Sequence, residues 1–146
     1  MSAFDPTDAK AIENLIAAED AAWGQGDAAA FSKAVLPDCV FTNIFGQVFV
    51  GHDPFEDQHA RIFSTIYRGT TLRQTVTHLR FLRPDVATVD SQAAVSGIAH
   101  LPPGVTSPDG ALHTRLLQVF VKDRGAWGIA SFHNVDVKPP PGPPPA

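Results

Sequence analysis

From Thr70 to Val137 the chain consists of four long runs of alternating side chains joined by two tight links and one longer one, and this stretch limits the fold more than any other. The runs are Thr70 to Leu82, Val86 to Ile98, Ala111 to Lys122 and Trp127 to Val137. A period of two is that of a strand with one face toward a core. Arg83-Pro84-Asp85 and Asp123-Arg124-Gly125 are tight connections, so the runs form an antiparallel meander. The remaining link, Leu101 to Gly110, carries three Pro and two Gly and reads as an exposed loop. Strands this long must twist and coil.

The N-terminal half has the other periodicity. Ile12, Leu15, Ile16, Glu19 and Trp23 recur at the spacing of one helical face, which predicts a helix from Asp5 to Gly24. Asp5 is its N-cap, Pro6 suits its first turn, and Gly24-Gln25-Gly26 ends it. Asp27 caps a short second helix, Ala28 to Val35, broken by Pro37-Asp38. Cys39 to Asn43 and Gln47 to Val50 read as a hairpin about Gly46. Asp53 as N-cap and Pro54 then open a third helix that runs to about Tyr67. Its inner stripe is Phe55, His59, Ile62, Phe63 and Ile66. Helices on one face of an antiparallel sheet make an α+β domain. With the helices on the concave side of a coiled sheet, a conical hollow remains.

Charge and motif content narrow the function. The 146 residues suit one domain, expected over 1–138, with 139–146 a disordered Pro-rich tail. Net charge is −4 with no basic stripe, which argues against nucleic acid as a partner. The single Cys39 allows no intramolecular disulfide. No signal peptide and no membrane-length apolar run is visible, so the expected location is the cytoplasm. No HxH, HExxH, GxGxxG, P-loop or GxSxG pattern occurs, so neither a metal nor a cofactor is expected.

Three side chains are candidates for catalysis. Glu19 lies on the apolar stripe of the first helix, where a carboxylate is costly unless paired or neutral. It reads as an acid or base, or else as an edge residue with its head in water. Arg115 shares a strand face with Leu117, Val119 and Val121, so it is expected to point inward toward an anion, a Glu19 pair being one option. The alternative is an Arg at the rim. In an unbulged last strand His133 faces the pocket and Asn134 faces away, making His133 a proton relay or a hydrogen-bonded core histidine. Trp23, Phe41, Asn43, Phe45, His59, Phe63, Tyr67 and Trp127 are the candidate ligand-binding residues. Asp90 is expected to point outward.

Taken together, Trp23…Gly26-Asp27, Asp38…Val40-Phe41-Thr42-Asn43…Gly46…Gly51, His59, Ile62-Phe63, Arg83-Pro84-Asp85-Val86-Ala87, Arg115, Val121-Lys122 and Trp127…Phe132-His133-Asn134 resemble the NTF2-like superfamily of cone-shaped domains. Within it the chain is most similar to the SnoaL-like and SgcJ/EcaC group. The resemblance implies three helices packed on a strongly curved, mostly antiparallel sheet. It also implies a pocket for a small, largely apolar molecule and homodimerisation through the exposed sheet face. The superfamily includes ketosteroid isomerases, polyketide cyclases, epoxide hydrolases and non-catalytic binding modules. In an ungapped register with ketosteroid isomerase, Asn43 stands where that family has its Asp base, and Glu19 stands where it has an oxyanion Tyr. An amide abstracts no proton at neutral pH, which argues against steroid-type isomerisation. Three readings follow: cofactor-free acid–base chemistry on Glu19, Arg115 and His133; a non-catalytic carrier; or an interaction module using an outward Leu116 and Phe120.

Overall fold

The computed structural model describes residues 5–105, 107–138 and 142–144. Most of the expected tail, residues 139–141 and 145–146, therefore lies outside the described residues. Helices α1 (Pro6–Gly24), α2 (Ala28–Phe31) and α3 (His52–Phe63) pack on one six-stranded sheet. Its strands are β1 (Val35–Thr42), β2 (Val48–Val50), β3 (Thr71–Arg83), β4 (Val86–Ser96), β5 (Leu112–Asp123) and β6 (Ala126–Asp136). They lie in the order β2-β1-β6-β5-β4-β3, with β1 parallel to β6 and every other pair antiparallel. The expected α+β cone is the observed architecture.

Local chemistry sets the helix ends. Asp5 Oδ1 accepts from Thr7 N–H at 2.8 Å and Asp27 Oδ1 from Ala30 N–H at 2.9 Å, so both are N-caps. The second helix stops at Phe31, short of the expected Val35, because Val35 enters the sheet opposite Ile129 and Ala34 O takes the Ile129 N–H at 2.7 Å. Strand β1 runs through Pro37, where its pairing with β6 is interrupted between Val35 and Val40. A proline without an N–H is tolerated there. Helix α3 starts two residues early, at His52, so Gly51 and not the expected Asp53 stands at its N-cap, without a side-chain cap hydrogen bond, and it ends at Phe63. Ser64 Oγ (3.0 Å) and Thr65 Oγ1 (2.7 Å) both donate to Arg61 O and compete with the helical ladder. Ile66 consequently leaves the inner stripe and is 36% exposed, while Tyr67 is buried.

The sheet corrects two orientations. On β5 the inner, buried row is Leu112, Thr114, Leu116, Gln118 and Phe120, and Arg115 and Leu117 face outward. The inner row holds two polar residues and the outer row three apolar ones, so counting apolar residues selects the wrong face. Leu116 and Phe120, 4% and 0% exposed, are unavailable to a partner. On β6 the pairing shifts: Phe120 faces Ile129 and Val119 faces Ser131, leaving Ala130 as an extra residue. This β-bulge inverts the alternation. Phe132 is buried and Asn134 half-buried beyond it, while His133 is exposed.

Asp8 closes the end of the cone remote from the β1–β2 hairpin. Its Oδ1 accepts from Lys122 Nζ at 2.9 Å and Trp127 Nε1 at 3.0 Å, which fastens the first turn of α1 to the β5–β6 hairpin. These two bonds hold the Asp8 carboxyl below its ordinary pKa. Trp127 belongs to this latch.

Candidate functional site

A cavity of about 130 Å³ lies between the helices and the inner face of the sheet. Trp23, Phe31, Phe41, Tyr67 and Phe132 form aromatic walls, and Leu72, Val95, Leu112 and Leu116 supply aliphatic contact. It reaches the surface at the β1–β2 hairpin, where the lining residue Phe45 is 54% exposed. Its polar lining is Asn43, Gln47, Gln58, His59, Thr114 and Asn134, with the Tyr67 phenol. Among the described residues no Asp, Glu, Lys or Arg lines it.

His59 is 3% exposed in a box of rings: Phe55, Phe31 and Phe41 have centroids 4.2, 4.8 and 5.2 Å away. Burial pushes its pKa down to about 4, so the ring is neutral at pH 7. Its Nδ1 lies 2.7 Å from Phe55 O, a carbonyl that can only accept. The ring proton therefore sits on Nδ1, and Nε2 keeps a free lone pair. Among the described residues Nε2 has no hydrogen-bond donor. The amide of Asn134 is likewise unbonded, and its Oδ1 is sealed from solvent without a partner.

Asn43 lines the cavity, but its amide is committed to the hairpin. Its Oδ1 accepts from Phe45 N–H and Gln47 N–H, both at 3.0 Å, and its Nδ2 donates to Gln47 Oε1 at 2.9 Å. That is an Asx-type turn holding Phe45 at the mouth.

Glu19 is 4% exposed and sits one helical turn from Trp23, outside the cavity lining. Gln118 Nε2 donates to its Oε1 at 3.1 Å and Gln74 Nε2 at 3.4 Å. Gln74 is held in turn by Asp20, which accepts from its backbone N–H at 3.1 Å and its side chain at 3.0 Å. Desolvation dominates these bonds and raises the Glu19 pKa to about 8. A neutral carboxyl is the form that suits this layer. Its Oε2 is buried without a hydrogen-bond partner, which costs a charged carboxylate more than a neutral one.

The remaining candidates disperse. Arg115 lies in an outer-face groove with Thr77, His78, Arg80, Asp90 and Gln92, and His133 lies on the same face near Leu117 and Val135. The expected Glu19–Arg115 pair is absent, since the two side chains are on opposite sides of the sheet. Asp90 faces outward as expected. Phe63 backs the cavity, its ring centroid 4.8 Å from that of Trp23. Trp127 is remote from the cavity. Sequence reasoning missed Asn134, Thr114, Gln74 and Gln118. Correct alternation on β5 would have given Thr114 and Gln118, and the Ala130 bulge would have given Asn134.

This three-helix, six-strand cone is the NTF2-like, or cystatin-like, fold. A domain of unknown function with a cystatin-like fold from Nostoc punctiforme matches with a TM-score of 0.80 at 22% identity, over 93% of this chain and 81% of that one. An uncharacterized protein with a cystatin-like fold from Caulobacter vibrioides gives 0.76 at 26% identity, over 90% of each chain. A ketosteroid isomerase-like protein from Erwinia carotovora atroseptica gives 0.69 at 19%, over 89% of this chain and 96% of that one. The family model of the SnoaL-like domain matches residues 12–134, and the chain belongs to that family. Comparison with curated proteins gave no match. No helix is long and apolar enough to cross a membrane among the described residues.

Proposed function

We propose that this protein binds a small, uncharged, largely apolar molecule of about one ring in the cavity between Trp23 and Leu116. The uncharged lining carries this reading: aromatic walls with a few convergent polar groups are what a small-molecule site requires, and nothing charged is present to select an ion. An engineered cavity of about 150 Å³ in another protein admits benzene, which fixes the scale. Holding the molecule is favoured over transforming it, because Glu19, Arg115 and His133 do not meet in one place. A second reading, turnover without a cofactor, rests on one observation: the Nδ1 contact to Phe55 O leaves His59 Nε2 as a proton acceptor facing the cavity. Toluene is the test probe. At a hundred times its Kd it should stabilise the fold by about 2.7 kcal/mol in urea unfolding. Ala93→Phe, which fills the cavity, should abolish that gain while keeping the circular dichroism spectrum. No stabilisation of the unaltered chain by saturating toluene would overturn the proposal.

The finer placement with the SgcJ/EcaC group, and with natural-product chemistry, is supported by the residues from Trp23 to Gly51 and from Arg83 to Asn134 described above. A homodimer through the outer sheet face is supported by two exposed apolar residues on neighbouring strands, Leu117 (38%) and Val135 (63%). Asp90 and Arg115 share that face, so opposite charges are available to an isologous contact. Sedimentation should show a dimer that Leu117→Lys with Val135→Lys converts to monomer. A monomer from the start would remove this part.

A further inference from the structure

Two of the polar residues that line the cavity, His59 and Asn134, keep a hydrogen-bond acceptor without a donor among the described residues. One is His59 Nε2, left bare because Nδ1 is committed to Phe55 O at 2.7 Å. The other is on the side-chain amide of Asn134, a lining residue turned inward by the bulge at Ala130 that makes no hydrogen bond to the described residues. Whichever way the Asn134 amide is turned, it keeps an acceptor and N–H groups without protein partners. Leaving a buried acceptor unmet costs about 1–3 kcal/mol, so a ligand that supplies a donor gains more than one that only fills space.

The rest of the lining defines what carries that donor. With no Lys or Arg in the cavity, a carboxylate or phosphate would be stranded without a counter-charge. With no carboxylate on its walls, an ammonium would be equally stranded. The group must be neutral, must donate, and must sit on a body small and apolar enough for the ring-lined space. Thr114 and Tyr67, which also line it, carry O–H groups able to donate back, so a group that both gives and receives a hydrogen bond fits best. A hydroxyl does both; an ether or a carbonyl cannot give.

From these we infer that the cavity is a hydroxyl-reading site for single-ring molecules of the phenol class. The ring lies among Trp23, Phe31 and Phe132, and the O–H reaches His59 Nε2 and the Asn134 amide. This deepens the proposal above and rests on the same cavity being the binding site.

Two probes of equal heavy-atom count, toluene and phenol, with anisole one heavy atom larger, separate the possibilities by isothermal titration calorimetry on the full chain at pH 7. Phenol should bind about tenfold more tightly than toluene, the factor one well-made hydrogen bond gives. Anisole, with the oxygen but no proton on it, should bind no better than toluene. In Asn134→Leu and in His59→Phe, phenol should lose most of its advantage over toluene. Equal affinity for phenol and toluene in the unaltered chain would overturn the inference while leaving the cavity reading intact. So would an advantage that survives both substitutions, or anisole matching phenol. If no probe binds at all, the cavity reading falls and takes this inference with it.

Discussion

Glu19→Gln is expected to raise stability by on the order of 3–5 kcal/mol at pH 9 and to change it little at pH 4. The carboxyl titrates near its ordinary 4.5 when unfolded and at about 8 when folded, because burial penalises its charged form. The folded state therefore holds an extra proton between those values. The Glu19 contribution to stability is complete below pH 4.5 and is lost as pH rises through 8. His59 has the opposite sign: its ordinary 6.5 falls to about 4 on folding. Its contribution is present above pH 6.5 and is lost as pH falls through 4. The two slopes cancel between 4.5 and 6.5. The unaltered chain should show a level optimum over that range and lose about 2 kcal/mol by pH 8. Gln keeps the acceptor for Gln118 and adds a permanent donor, so Glu19→Gln should hold its stability above pH 6.5. His59→Phe should decline steadily from pH 4.5. Urea midpoints between pH 4 and 9 check all three curves, and parallel curves for the unaltered chain and Glu19→Gln would contradict the assignment.

Trp23→Ala is expected to cost about 3–5 kcal/mol, in the range of large aromatic truncations in a core. Trp23 packs edge-on against Phe31 and Phe63 at 5.5 and 4.8 Å. Its Nε1 donates to Thr70 Oγ1 at 2.9 Å, and Thr70 donates on to Tyr67 O at 2.6 Å. One side chain thus links α1, the turn after α3 and the start of β3, and also forms a wall of the cavity. Arg115→Ala and His133→Ala should each change stability by less than about 0.5 kcal/mol, as exposed side chains do. Urea unfolding of the three variants orders them, and a loss for Arg115→Ala as large as that for Trp23→Ala would mean that β5 is turned over.

That contrast marks what could be read from the residues alone. Helix α1 and strands β3 to β6 were legible almost to their ends, because their apolar spacing is long and is bounded by caps, glycines and tight turns. The faces of β5 were not. Thr114 and Gln118 turn inward because the interior carries its own polar layer around Glu19, while Leu117, Val119 and Val121 make the outer face look like a core. His133 and Asn134 exchanged roles through one extra residue, Ala130, which no local signal announces in Ala126-Trp127-Gly128-Ile129-Ala130. Glu19 was recognised as anomalous on its stripe, and it is buried. Its partners lie 55 and 99 residues away in sequence, at Gln74 and Gln118, and only the closed sheet brings them together.

Hollowness inside the cone underlies both binding proposals, and xenon reports it without presupposing a ligand, since dry apolar cavities take up the gas. A crystal pressurised with xenon should show an internal site bounded by Trp23, Phe31, Leu116 and Phe132, within contact of the His59 ring. An interior where Phe132 and Leu116 close on Trp23 and leave no xenon density would contradict it.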